Sequence, residues 1–370
     1  MTRRRPGSGK APLGEAEFAA AFSPLGDVPR ILAAVSGGPD STALLGGLAA
    51  WARARGGPDI SAATVDHGLR PGSQAEAEAV ARFAAHLGVP HTILTWSGRK
   101  AETVSQEAAR QARYRLLVDH ARDIGATDLA TAHTLDDQAE TLMMRLAAGS
   151  GLSGLVGMRR EVARGGIRHV RPLLPFSKAR LLATCREHGW PFAEDPSNAD
   201  PRFARVRWRR ELLPLLSREG LDAGRLGRLA ERLSRADEAL DHAARGVFDR
   251  AARRCGADLV LDARDLAREP REIVLRVLMR AVKDRAPGTA EGAEAHLRLE
   301  RLEECLEALL LGLRSGLSVR RTLAGRLLHL DRKATLTVSP EGVRRRGKRE
   351  AVTAIAIPEA GSLGRGPGRP

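Results

Sequence analysis

Between residue 30 and about residue 196 the apolar positions follow two spacings in turn. Short, nearly continuous apolar runs at Arg30–Ser36, Asp59–Asp66, His91–Trp96, Asp128–His133, Ile167–Pro172 and Pro191–Glu194 predict strands. Between them, Ser41–Arg55, Ser73–Leu87, Ser105–Ile124, Thr134–Ala147 and Ser177–His188 repeat their apolar residues at three and four, which predicts helices. Regular alternation of this kind predicts an α/β fold, Rossmann-like, with a largely parallel sheet covered on both faces. Ligands in such sheets sit beyond the carboxyl ends of the strands. After Pro201 the strand spacing fades. Phe203–Leu216, Arg225–Cys255, Pro270–Asp284 and Ala293–Leu313 are long, charged and helical in period. Leu317–Val338 and Ala351–Ile357 then alternate again, separated by the basic run Arg344–Arg349, and the last residues, GSLGRGPGRP, predict disorder.

The expected organisation is therefore a flexible basic arm at 1–20 and an α/β domain at 21–216. A helical domain at 217–316 and a short β segment with a disordered tail at 317–370 follow. Composition adds a partner class. The 43% hydrophobic content supports real cores and excludes wholesale disorder. Sixty Lys and Arg residues against 45 acidic ones give a formal charge of +15, which points to a polyanion and to nucleic acid first. Aromatics are only 3%, so arginine planes and phosphate contacts would replace stacking platforms. Cys185, Cys255 and Cys305 lie far apart with no CxxC pair, which excludes a disulfide framework and fits a reducing, cytoplasmic compartment. No apolar run approaches the ~20 residues of a membrane span, so no membrane partner is expected. MTRRRPGSGK lacks an apolar h-region and reads as an arm, not a signal peptide.

The first candidate site is the turn after the first strand. Ser36-Gly37-Gly38-Pro39 breaks the apolar run of Ile31–Val35, and a helix begins at once. Glycines let the backbone approach a ligand, and the free N–H groups of a helix start favour phosphate. Ser36, Asp40, Ser41 and Thr42 crowd this turn beyond what capping requires. A carboxylate beside phosphates makes sense as a Mg²⁺ ligand, so Asp40 is the candidate metal residue. Two look-alikes fail: Gly7–Lys10 lacks the P-loop spacing, and the literal GxGxxG at Gly149–Gly154 follows a helix, not a strand.

The second is HTLDDQAET. His133, Asp136, Asp137 and Glu140 recur at three and four on one helical face, after the fourth strand. Acids so clustered ask for a cation, and a metal or an ammonium group suits them. HExxH is absent, which disfavours a zinc hydrolase. EAARQARYRLL places Glu107, Arg110, Arg113 and Tyr114 on one helix, where two arginines could neutralise a departing pyrophosphate. VDHGLRPGS ends the second strand with Asp66, His67 and Arg70. Arg202, Arg205, Arg207, Arg209 and Arg210 form a basic stretch beside this half, with Arg225–Arg235 and Arg344–Arg349 as further runs.

Ser36-Gly37-Gly38-Pro39-Asp40-Ser41 is similar to the SGGxDS loop of the PP-loop, or N-type, ATP pyrophosphatases. That resemblance implies cleavage of ATP to AMP and pyrophosphate with adenylation of a substrate oxygen. Within the superfamily, the order SGGPDS, VDHGLR, EAARQARYRLL, HTLDDQAET, GSGLSGLVGM, RPLLPFSK and EDPSNADPRFARVRWRRELLPLL resembles the tRNA(Ile)-lysidine synthetase family. The likeness is strong over roughly residues 30–216 and weak beyond. HxxDDxxET and DPSN are what narrow it, and the cysteines on which sulfur-inserting relatives rely are missing from these motifs.

The resemblance implies ligation of lysine to C2 of the wobble cytidine of tRNA(Ile) with anticodon CAU, through an adenylated cytidine. It implies ATP at Ser36, Gly37, Gly38, Pro39, Asp40 and Ser41, with Mg²⁺ at Asp40. Free L-lysine would be held by Asp136, Asp137 and Glu140, and His133 would orient or relay a proton. Arg113 would stabilise developing charge. Asp40, Arg113, His133 and Asp137 form the implied catalytic set, and Arg205, Arg207, Arg209 and Arg210 the implied tRNA contacts. A homodimer is left open. Two departures stand out: Ala148 occupies the place of the family's usual arginine before Gly-Ser-Gly, and the run Arg205–Arg210 lacks the usual asparagine.

Overall fold

The computed structural model describes residues 10–66, 68, 72–96, 106–193, 202, 204–284 and 297–341. The chain divides into two compact units, residues 1–246 and 247–370. In the first unit six strands pair in the order β3-β2-β1-β4-β6-β5. They are β1 (Arg30–Ala34), β2 (Asp59–Asp66), β3 (His91–Thr95), β4 (Asp128–Ala130), β5 (Glu161–Arg164) and β6 (Ile167–Val170). All pair in parallel except β5, an antiparallel edge strand on β6. The alternation of short apolar runs with amphipathic stretches thus produces the expected fold.

Helices cover both faces because both faces of the strands are apolar. On one face, α1 (Glu15–Phe22), α2 (Pro39–Arg55), α3 (Ser73–His86) and α7 (Lys178–Glu187) bury Phe18, Phe22, Leu44, Leu48, Phe83 and Leu181 against Ile31 and Ala33. On the other, α4 (Gln106–Asp123) packs Tyr114, Leu117 and Val118 on Leu32, Ala63 and Leu129. Gly46 and Gly47, mid-helix in α2, are there for close packing. A Cβ on either would sit 2.6 Å from the ring of Trp190 or of Phe18. Two further helices, α5 (Leu135–Ala147) and the short α6 (Leu152–Leu155), follow β4. Then α8 (Ala204–Arg207) runs through one π-helical turn at Trp208–Leu212 into α9 (Leu213–Arg218), and α10 (Ala223–Ala251) begins. Leu142 of α5 and Leu226 of α10 share a small core with Leu213.

In the second unit, β7 (Ala252–Cys255), β8 (Asp258–Asp262), β9 (Val319–Leu323), β10 (Arg326–Leu330) and β11 (Thr335–Pro340) form an antiparallel sheet in the order β7-β8-β11-β10-β9. With them come α11 (Ala263–Leu266), α12 (Arg271–Lys283) and α13 (Leu299–Ser315), which bury Ile273, Leu278, Leu302 and Leu306. Among the described residues no helix is long and apolar enough to cross a membrane.

The structure departs from the expected elements in four places. Glu15–Phe22, partly inside the expected flexible arm, is helical. Leu13, Phe18 and Phe22 are buried, and Arg180 bonds Glu17 and the carbonyls of Ala11 and Pro12. Pro191–Ala193 are not a strand; the Ala193 N–H donates instead to the Gly37 carbonyl at 2.9 Å and props the turn after β1. β5 is the strand that spacing does not show: its four residues, Glu161–Arg164, are half polar, and it joins the predicted β6 through Gly165-Gly166, both left-handed (φ +53° and +76°). Finally, the helix expected to reach Cys255 stops at Ala251. The β7–β8 hairpin that follows joins the C-terminal strands, so that β region begins at residue 252 and not at 317. Ala351–Ile357, Arg344–Arg349 and the glycine-rich end lie outside the described residues, as do Phe203, Glu194–Pro201, His67 and Arg70.

Candidate active site

The strand order reverses between β1 and β4, and this switch point sets the turn after β1 beside the segment after β4. The first is an open helix start. Gly37 takes φ +85°, closed to other residues, and a Cβ there would press on Val80 at 3.2 Å. Gly38 is the extended N-cap of α2, and no side chain caps that helix. The hydroxyls fold the turn on itself: the Ser36 N–H donates to Ser41 Oγ at 3.1 Å, and Ser41 Oγ donates to the Gly38 carbonyl at 3.0 Å. A seventeen-residue helix therefore presents its positive end to solvent, the arrangement that receives phosphate.

Asp40 stands in the first turn of α2. Its Oδ1 is buried with no hydrogen-bond partner, and its Oδ2 lies 3.6 Å from Lys178 Nζ. Burial, opposed by Lys178 and reinforced by Asp137 and Asp136, lifts its carboxyl to about 6. Lys178 continues to Asp137 Oδ1 at 3.0 Å, so one ammonium joins the β1 turn to the start of α5. The sequence carried Lys178 inside RPLLPFSK, but no local spacing marks it as a partner of residues 40 and 137.

The start of α5 is closed where that of α2 is open. Thr134 is its N-cap and forms a capping box with Asp137: the Thr134 N–H and Oγ1 both donate to Asp137 Oδ2, at 2.9 and 2.8 Å. Asp136 Oδ2 accepts the Lys178 N–H at 2.8 Å and thereby caps α7. Asp137 is held down to about 2: Lys178, Arg205 and the Thr134 hydroxyl outweigh a burial that alone would raise it. Glu140, fully buried, is taken by two guanidinium groups, with Arg205 Nε at 2.7 Å and Arg209 Nε at 2.6 Å. The four arginines expected at tRNA divide into two pairs. Arg205 and Arg209, one turn apart, face inward onto Glu140, while Arg207 and Arg210 on the same segment are exposed. Glu140, expected at lysine, thus carries two counter-ions.

A cationic cluster flanks the other side. Arg164 and Arg110 lie over the Tyr114 ring, 4.1 and 5.2 Å from its centroid. Arg171 is buried after β6 and donates to the Arg159 carbonyl at 2.7 Å; Nε of Arg164 and of Arg171 have no partner. Arg113, half-buried, is held below its ordinary range by burial and by Arg110. His133 and His169 are linked through Thr131 Oγ1, at 2.8 and 2.9 Å. Burial first, then Arg171, drives His133 to about 3 and His169 to about 2, so both rings are neutral. Neither His169 nor Arg171 is marked by any helical or strand period; only the fold brings them to His133.

Other expected residues have structural roles. Asp66 Oδ1 accepts the Gly68 N–H at 2.8 Å, a turn of the Asx kind. Glu107 pairs with Gln111 on the exposed face of α4. Arg145, the arginine nearest the Gly149–Gly154 loop, donates to the carbonyls of Gly154 and Gly157, both at 2.7 Å, and fixes that loop. Cys185 touches the phosphate turn, donating Sγ–H to the Pro39 carbonyl at 3.2 Å. Burial pushes its thiol up to about 12, so it offers no thiolate for sulfur chemistry.

Residues 14–216 match the family model described as a PP-loop domain. The chain is 54% identical to tRNA(Ile)-lysidine synthase of Methylobacterium nodulans, over 86% of this chain and 92% of the relative. It is 50% identical to that of Methylobacterium sp. strain 4-46, over 88% and 92%, and 45% identical to that of Bradyrhizobium sp. strain BTAi1, over 90% and 96%. Among solved structures, the U34-tRNA thiolase NcsA of Methanococcus maripaludis, with its [4Fe-4S] cluster, superposes with a TM-score of 0.51 at 17% identity. It covers 59% of this chain and 77% of its own, a likeness of fold.

Proposed function

Because the chain belongs to the tRNA(Ile)-lysidine synthase family, we propose that it is an ATP-dependent ligase. It joins lysine to C2 of the wobble cytidine of tRNA(Ile) with anticodon CAU. Cytidine O2 attacks the α-phosphorus of ATP and pyrophosphate leaves; the lysine amine then attacks C2 and AMP departs with that oxygen. The observation that carries the reading is the junction of two sites through one side chain. Lys178 spans Asp40, at an open phosphate-binding helix start, and Asp137, on an acidic face suited to an amine.

The triphosphate lies on Ser36–Ser41. The partnerless Oδ1 of Asp40 is the kind of atom a cation fills, so the residues fit Mg²⁺. Among the described residues no group of three or more acids, histidines or cysteines is placed to hold a metal unaided. The ion would be shared between Asp40 and nucleotide phosphates. When bound it would offset charge on the departing pyrophosphate.

On the acidic face, Asp137 and Glu140 meet three cationic side chains, Lys178, Arg205 and Arg209, and Asp136 accepts the Lys178 backbone N–H. The ammonium of free L-lysine binds this face by competing with the arginines for Glu140 and with Lys178 for Asp137. Arg113 and its neighbours lend positive potential to the phosphoryl group. The target base is splayed from the anticodon loop to reach the pocket. The enzyme works in the cytoplasm.

The test combines the enzyme with ATP, Mg²⁺, radiolabelled lysine and a tRNA(Ile) CAU transcript. Label is expected in alkali-stable RNA and is expected to vanish when the wobble C becomes U. Asp40→Asn is expected to lower pyrophosphate release at least 100-fold. ATP cleavage to AMP without lysine incorporation would overturn lysine as the nucleophile, and unaltered release by Asp40→Asn would overturn the metal role.

A further inference from the structure

We propose that Arg171, His169 and Thr131 form a one-way hydrogen-bond chain that fixes His133 as its Nε2–H tautomer. That makes His133 a standing hydrogen-bond donor to the reacting base and its phosphoryl group, not a proton acceptor. The three are positioning residues, acting on the reaction only through His133.

The direction follows from donor chemistry. A guanidinium can only donate. Arg171 Nη2 lies 3.3 Å from His169 Nδ1, so that nitrogen must accept. A neutral His169 then carries its proton on Nε2, which faces Thr131 Oγ1 at 2.9 Å and donates to it. The Thr131 hydroxyl, having accepted, turns its single proton to its remaining partner, His133 Nδ1, at 2.8 Å. His133 Nδ1 is thus an acceptor, and in the neutral ring the proton sits on Nε2. The reverse direction fails at the far end, where Nδ1–H of His169 would oppose an N–H of Arg171. Neutrality of both rings is secured by their surroundings. Arg110, Arg113, Arg164 and Arg171 surround the pair, and the depressed affinity of both rings for protons agrees.

The chain is also rigid. His169 is buried within β6, Thr131 is buried directly after β4, and the register Ala130 to Val170 ties these strand ends together. The Tyr114 ring packs on His169 with centroids 5.1 Å apart, and the two histidine rings lie 6.3 Å apart. A donor held this way costs no reorganisation when negative charge develops near it. In the ligation, His133 would stabilise oxygen on the adenylated base, and the ammonium proton of lysine would leave by another acceptor. The proton arrangement stands on the geometry alone; its catalytic use rests on the function proposed above.

The experiment is two-bond ¹H–¹⁵N correlation spectroscopy on the full chain with ¹⁵N-histidine, without substrates and at neutral pH, His133 being assigned by loss of its signal in His133→Gln. The expected spectrum shows His133 and His169 both as Nε2–H tautomers. An Nδ1–H tautomer or an imidazolium at His133 overturns the proposal. Thr131→Val, which keeps shape and removes the bridge, is expected to release His133 into a tautomer mixture. It should lower kcat for lysine transfer about tenfold with little change in KM for ATP, and Thr131→Ser should restore both. An unchanged His133 tautomer in Thr131→Val also overturns it. Should the enzyme attach no lysine, the kcat comparison fails but the spectrum still decides the chain, which keeps the two readings separable.

Discussion

Two charge clusters meet at the start of α5, and they are organised in opposite ways. On one side Asp40, Asp137 and Glu140 are paired with Lys178, Arg205 and Arg209, and Asp136 accepts a backbone N–H, so every carboxylate has a partner. On the other, Arg110, Arg113, Arg164 and Arg171 gather round His133 and His169, and no ion pair to a carboxylate joins them among the described contacts. The paired side holds Asp137 at about 2 despite burial, while burial raises Asp40 and Asp136. The unpaired side strips its histidines of protons. The first stores cation-binding capacity behind internal counter-ions; the second holds a positive field that an incoming polyanion would complete. His133, just before the N-cap of α5, and Asp137, in its first turn, mark the border.

Breaking the paired side should have the largest effect. Glu140→Ala removes the shared partner of Arg205 and Arg209 and leaves two half-buried guanidinium groups on Asp137 alone. Loss of one member of a buried pair costs about 3–5 kcal/mol. The expected outcome is a fall in unfolding free energy of that order in urea, together with loss of lysine transfer. A loss below about 1 kcal/mol would mean that the arginines leave Glu140 readily.

The unpaired side should show itself in acid. His169 and His133 have lower proton affinity folded than the ordinary value of 6.5. Between about pH 6.5 and their folded values the unfolded chain binds more protons, so stability rises with pH through that window and levels off above it. Acidification from about pH 6.5 to about pH 5 is expected to cost ~1.6 kcal/mol for each ring, offset by about 1 kcal/mol from Asp40, whose raised carboxyl takes up a proton in the folded chain over the same range, read as a falling urea midpoint. His169→Gln should flatten that slope. A midpoint that rises on acidification in this range would show the rings to be protonated inside the fold.

How much of this was legible in sequence depended on whether a residue's partner lay within one element. The strand–turn–helix at Arg30–Arg55 and the acids Asp136, Asp137 and Glu140 of α5 are local patterns that lie on the expected elements, whereas His133 precedes the N-cap Thr134 and bonds Thr131 instead of sharing the helical face. Spacing could not tell that Asp136 would cap α7, that Arg145 would fasten a loop, or that Lys178 would bridge residues 40 and 137. Those pairings are made by the sheet order, which sets β1 and β6 on either side of β4. The basic run at 205–210 shows the limit most clearly. A helix turns alternate pairs of its arginines in opposite directions, so one run supplies both buried counter-ions and exposed charge. Composition counts the two alike.

That division of the run gives the smallest and most selective prediction. Arg207 and Arg210 are exposed on the segment whose Arg205 and Arg209 face Glu140. If the outward pair meets tRNA phosphate, each contact releases counter-ions from the RNA and adds to the salt dependence of binding. The double variant Arg207→Ala/Arg210→Ala is expected to weaken tRNA binding by about 1 kcal/mol at low salt. It should also lower the slope of log K against log salt by roughly 1–2, with fold stability unchanged. Filter binding across a salt series measures both quantities. The inward pair behaves differently under the same treatment, since Arg205→Ala and Arg209→Ala should cost stability first and leave the slope intact. Equal salt slopes for the outward variant and the unaltered enzyme would remove these two arginines from the RNA surface. The tRNA-binding charge would then have to be sought elsewhere on the chain.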